Sequence, residues 1–197
     1  MPAGNPGPVI PERYAKALGD DEPIELSRKA PKRIKKLIRG LSEKELSKRP
    51  APGKWSIKEI IAHLADGEVI IGSRERFVAA QDKAPLPGYD QDAFVEHLGT
   101  ERAKTAELLE AFAAVRAANV AMLKRLPKTA FARVGLHSER GEESLDAMVR
   151  MYAGHDRIHE QQIESVRANL RAKKKQDKAT RKAKKGARAT AAAERDR

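Results

Sequence analysis

The chain has 197 residues, with 40 Lys+Arg against 28 Asp+Glu and no cysteine. That length suits one domain with tails, and a body of about 150 residues buries roughly 70% of its unfolded surface without help from disulfides or metal. The absence of thiols excludes a disulfide scaffold, an iron–sulfur cluster, a Cys-ligated zinc site and a cysteine nucleophile, and it fits a reducing, cytoplasmic setting.

Charge is distributed unevenly. Residues 171–197 hold 12 Lys+Arg and 3 Asp+Glu, a net +9, whereas the first 170 residues carry only +3 of the formal +12. No stretch approaches the roughly 18 apolar residues of a membrane span. No basic segment leads into an apolar run, so no secretion signal is expected.

Proline punctuates the chain. Pro2, Pro6, Pro8 and Pro11 predict an extended arm over residues 1–23. Residues 53–84, 88–126 and 128–197 contain no proline, which permits long helices. A first helix is expected over 24–39, starting or kinking at Pro31. Ser42-Glu43-Lys44-Glu45 has the form of a capping box opening a short helix to about Arg49. Ser56-Ile57-Lys58-Glu59 repeats that form and opens a second long helix to about Gln81, with Ile57, Ile60, Ile61, Leu64, Ile71 and Val78 as its apolar stripe. A third is expected from after Asp90 to about Leu126, with a kink near Gly99-Thr100. A fourth begins near Ser144, with a stripe from Leu145 to Leu170. The reading is all-α: a four-helix bundle over 24–170. The tail, 171–197, lacks Leu, Ile, Val and aromatic residues, which predicts disorder in isolation.

Five histidines carry the candidate chemistry. His155 and His159 are four apart on the last helix, so their rings lie one turn apart and interrupt its apolar stripe. Two buried imidazoles need partners for a donor and an acceptor each, and a divalent ion can take one lone pair from each ring. The alternative is a pair of core histidines bonded to neighbouring side chains. His63, at the edge of the second helix's stripe, can face them across a bundle, and three neutral imidazoles with an open fourth position match a catalytic zinc or related site. His97 is expected to be partly exposed, and His137 to lie in a loop, at a site mouth or in solvent. Glu68 and Asp156 lie near the stripes and could orient a ligand histidine, or pair with Arg74, Arg76 or Arg116 instead. Trp55, the only tryptophan, is expected to pack at the helix entry.

The stretch from Gly53 through Trp55-Ser56-Ile57 to His63 and Glu68, and the stretch Gly154-His155-Asp156-Arg157-Ile158-His159-Glu160-Gln161-Gln162-Ile163, together resemble the DinB superfamily and its YfiT-like branch. His137 and Gly141 followed by Ser144-Leu145 are similar in form. The resemblance implies a bundle in up-down-down-up order and a divalent metal, zinc or nickel, held by His63, His155 and His159. Glu68, His137, Asp156 and Gln162 then fall around the ligands or at the site mouth. It further implies a homodimer and an enzyme that activates a low-molecular-weight thiol or water against a small-molecule substrate, in the manner of a thiol S-transferase. With no cysteine in the chain, any thiolate must come from a cosubstrate. Two readings compete: a metal-binding bundle without catalysis, and non-specific nucleic-acid or other polyanion binding through residues 171–197.

Overall fold

The computed structural model describes the backbone of residues 10–195 and, with the exception of residue 178, side chains up to residue 180. Its elements are α1 (Glu12–Leu18), α2 (Pro23–Leu37), α3 (Glu43–Leu46), α4 (Ile57–Ala80), β1 (Ala84–Leu86), α5 (Gln91–His97), α6 (Thr105–Arg125), a 3-10 turn (Lys128–Ala132), β2 (Val134–His137), β3 (Gly141–Ser144) and α7 (Leu145–Arg195). Four long helices, α2, α4, α6 and α7, pack against one another. Among the described residues, no helix is long and apolar enough to cross a membrane.

Both expected capping boxes are present. At α4 the Glu59 amide donates to Ser56 Oγ at 3.2 Å while the Ser56 amide donates to Glu59 Oε2 at 2.7 Å. Ser42 and Glu45 make the same reciprocal pair at α3. Helix α2 runs through Pro31 instead of starting there, and begins at Pro23 under an N-cap from Glu22. Pro31 has no N–H, which frees the Ser27 carbonyl of its helical partner. Arg116 Nη1 fills that vacancy from α6 at 2.9 Å.

The core has layers that recur on each long helix. One apolar cluster joins Ala30 and Ile34 (α2), Ile57, Ile60, Ile61 and Leu64 (α4), Leu109 and Phe112 (α6), and Ile163 and Val166 (α7). A second joins Val78, Leu86, Leu123, Leu145, Met148 and Val149. Between them in sequence, on all three of α4, α6 and α7, lie buried polar residues: Glu68 and Glu75, Arg116 and Asn119, and Asp156.

Several sequence expectations are corrected. Part of the arm expected over 1–23 is helical: α1 packs on α7 and buries Leu18 against Leu26 and Ala153. The approach is close enough that a Cβ on Gly154 would lie 2.1 Å from the Tyr14 carbonyl oxygen, so only glycine fits there. The part of the arm over residues 1–9 lies outside the described residues. The single third helix is two, α5 and α6. Gly99 adopts φ +76°, a left-handed conformation that ends a helix instead of kinking it, and Leu98 is exposed. An unexpected three-stranded sheet has the order β1-β2-β3, with β1 and β2 parallel and β2 and β3 antiparallel. The basic tail, expected to be disordered, continues α7 as helix to Arg195. Its alanine- and lysine-rich, proline-free composition has high helix propensity, and Lys174 reaches Glu45 at 2.5 Å.

Candidate metal centre

Helix α4 presents His63, and α7 presents His155 and His159 one turn apart. His155 Nε2 lies 3.1 Å from His63 Nε2 and 3.1 Å from His159 Nε2. One nitrogen from each ring fits within a 4.8 Å set. An imidazole nitrogen carries either one N–H or one lone pair, so His155 Nε2 cannot satisfy both contacts as hydrogen bonds.

Burial also disfavours charge on all three rings. Burial, and then the neighbouring His159, pushes His63 down to about 3. Burial, followed by the other two histidines, holds His155 well below its ordinary value. Burial also lowers His159, against the opposing effect of its hydrogen bond to Gln162. His159 Nδ1 donates to Gln162 Oε1 at 2.9 Å, which leaves the lone pair on Nε2, the atom facing His155. Neutral rings whose Nε2 atoms converge on one point form a donor set that suits a divalent ion.

Trp55 is more than a helix-entry anchor. Its ring centroid lies 5.0 Å from that of His63 and 6.4 Å from that of His159, so it covers one side of the cluster. Tyr14 approaches His155 at 5.9 Å from α1. A cleft of about 470 Å³ opens beside His63 and His155, with Tyr14, Arg74, His137 and Tyr152 in its wall.

The other candidates separate. Gln162 alone among them hydrogen-bonds a cluster histidine. Glu68 and Asp156 are engaged by Arg116: Nη2 lies 2.6 Å from Glu68 Oε2, and both Nη atoms reach Asp156. Burial works against the charge of Arg116, but the two carboxylates hold its pKa above the ordinary arginine value. Asn119 Nδ2 adds a bond to Glu68 Oε1 at 2.8 Å. His137 ends β2 and is buried on the cleft wall, whereas His97 is exposed. Sequence reading missed Trp55, Tyr14 and Arg74 as residues of this region. Their only sequence signal was an aromatic or charged residue near a stripe, which is common in ordinary cores.

Residues 27–163 match the model of the DinB superfamily, and the chain belongs to that superfamily. It is similar to a protein of Oceanobacillus iheyensis named "Putative metal-dependent hydrolase", with 23% identity over 139 residues covering 70% of this chain and 79% of the relative. A Bacillus cereus protein of the same name is 24% identical over 140 residues, covering 71% of this chain and 80% of the relative. Among solved structures, YfiT from Bacillus subtilis, described as a probable metal-dependent hydrolase with an unusual four-helix bundle topology, superposes with a TM-score of 0.71 at 18% identity, covering 84% of this chain and 93% of that one. A mycothiol-dependent maleylpyruvate isomerase superposes at 0.58 and 12% identity over 71% of this chain and 58% of that one. These two likenesses establish a common fold.

Proposed function

We propose that the protein is a divalent-metal-dependent enzyme whose ion, zinc or nickel, is held by His63, His155 and His159. The convergence of three Nε2 atoms on one point carries this reading. A divalent ion bound there supplies Lewis acidity, which lowers the pKa of a water or a small thiol and makes it nucleophilic at neutral pH. The chain's own residues do the rest. Gln162 fixes the His159 tautomer, Trp55 shields one flank from water, and the cleft beside His63 and His155 receives the substrate.

The names of the relatives support metal-dependent chemistry, and the mycothiol-dependent neighbour supports trying a thiol cosubstrate as well as water. Thiol transfer is the preferred branch, and because the chain has no cysteine, the thiol must come from a cosubstrate. The order of the core layers along the helices supports the up-down-down-up arrangement. Helices α4 and α6 pass from the first apolar cluster to the second, while α7 and, through Ile24 then Ile34, α2 pass the other way.

Elemental analysis of the purified protein beside His159→Ala tests the site. About one metal per chain, lost in the variant, is expected, and equal metal content in both contradicts the assignment. Metal-loaded protein is then offered an electrophile with a panel of low-molecular-weight thiols. Consumption of thiol that requires metal supports transfer, hydrolysis without thiol assigns the water branch, and neither activity with metal bound contradicts an enzyme.

A further inference from the structure

The cleft beside the triad has a second chemical feature: two buried side chains in its wall, Arg74 and His137, each carry a hydrogen-bond donor that lacks an acceptor. Arg74 is only 3% exposed, and no carboxylate pairs with it among the described residues. Its Nη1 donates to the Tyr152 hydroxyl at 3.0 Å and its Nη2 to the Pro87 carbonyl, but Nε has no partner. A buried guanidinium held only by neutral acceptors is unfavourable unless something negative joins it.

His137, 4% exposed, presents the same problem. Its Nδ1 accepts from the Glu139 amide at 3.1 Å, so the neutral ring carries its proton on Nε2, and Nε2 is buried without a partner. The Tyr152 oxygen accepts from Arg74, which leaves its own hydroxyl proton to be donated. The carboxylates on the same cleft, Asp90, Asp92 and Glu139, are all exposed, and Asp90 is occupied in capping α5. The deep layer is therefore rich in donors: Asp90, Asp92 and Glu139 stay at the rim, and the buried Glu143, whose charge reaches His137 and Tyr152, is taken up by Arg140. Arg140, also on this cleft, is already paired with Glu143.

We propose that Arg74, His137 and Tyr152 form a subsite for a small oxyanion, the carboxylate or phosphate group of an anionic substrate, placed beside His63 and His155. Its role as a substrate subsite rests on the metal-site reading above; anion binding itself does not.

The probes are inorganic phosphate and succinate, titrated separately by calorimetry into the full chain without added metal, with the His137 imidazole 15N–1H signal followed in parallel. Saturable binding at one site per chain is expected for at least one probe, with a shift of the His137 Nε2 resonance. Phosphate alone, or succinate alone, identifies the group the substrate carries. Arg74→Gln and His137→Phe should each weaken binding about tenfold or more. Nickel quenching of Trp55 fluorescence reads the triad independently in every variant. Nickel uptake with no anion binding overturns the subsite and leaves the triad standing, whereas anion binding without nickel uptake overturns the triad and keeps the subsite. Anion affinity unchanged in both variants, or a His137 resonance that neither probe moves, overturns the proposal.

Discussion

Helices α4 and α7 carry two buried polar clusters that are neighbours in sequence, since His155 and Asp156 are adjacent, yet the two are completed in opposite ways. Arg116 meets the carboxylates of Glu68 and Asp156, takes the carbonyl freed by Pro31, and leaves Glu68 a further bond to Asn119. Each carboxylate finds a guanidinium partner within the chain, although one positive charge faces two carboxylates, and burial raises the Glu68 carboxyl. At the triad three imidazole nitrogens crowd one point that no other donor among the described residues reaches, and the adjoining wall holds the unanswered donors of Arg74 and His137. A polar cluster that satisfies itself holds a fold together. One that leaves both lone pairs and donors unanswered supports the proposal of a bound ligand.

Breaking the self-contained cluster should have the largest effect. Arg116→Met leaves Asp156 buried without a partner and Glu68 with Asn119 alone, and about 3–5 kcal/mol of stability is expected to be lost on chemical denaturation. A loss below about 1 kcal/mol would show that the two carboxylates find other partners and that the contrast is overstated.

Glu75 sharpens the same contrast by pH. Burial, followed by the charge of Glu68, pushes its carboxyl up to about 8, against the opposing charges of Arg116 and Arg76. The folded state therefore keeps a proton that the unfolded chain releases near 4.5. The stability this proton confers is complete below about pH 4.5 and is lost as pH rises through about 8, by up to about 1.4 kcal/mol per pH unit. Glu75→Gln should remove that part of the alkaline decline, which denaturation midpoints at pH 6 and pH 9 will read.

At the open cluster, Gln162→Leu removes the acceptor that fixes His159. Metal affinity should fall about 10–100-fold with the fold intact, as metal titration followed by Trp55 fluorescence will read. An unchanged affinity would mean that His159 is oriented by packing alone. The smallest effect is expected for truncation after Leu170. Among the described residues, the basic segment is tied to the body by the ion pair of exposed Lys174 with half-buried Glu45, so metal uptake should not change and Tm should move by no more than a few degrees. The same truncation should abolish any salt-sensitive affinity for duplex DNA, because the net +9 lies beyond that point.

The triad was legible in the sequence because it uses spacing. The i, i+4 repeat of His155 and His159 fixes their common face, and the capping box at Ser56 sets the phase of α4, which places His63. The closed network was legible only as alternatives: Glu68 and Asp156 could serve the histidines or pair with an arginine, and long-range packing chose Arg116. The sheet carried almost no signal. Its strands are three to four residues long, Pro85 occupies one edge strand, and β3, Gly-Glu-Glu-Ser, has no apolar residue to alternate. His137 consequently read as a loop residue, although β2 carries it into a buried position. Arg74 was invisible as a site residue for a related reason. A single arginine on a helix declares nothing until its burial and its missing carboxylate can be seen.

The central claim is that one ion accepts a lone pair from each of three imidazoles on two helices. X-ray absorption at the metal edge of nickel- or zinc-loaded protein tests it most directly. The account predicts a nitrogen/oxygen first shell with the multiple-scattering signature of three imidazoles, reduced to two in His63→Ala. A spectrum with one imidazole or none, or one that His63→Ala leaves unchanged, would contradict it.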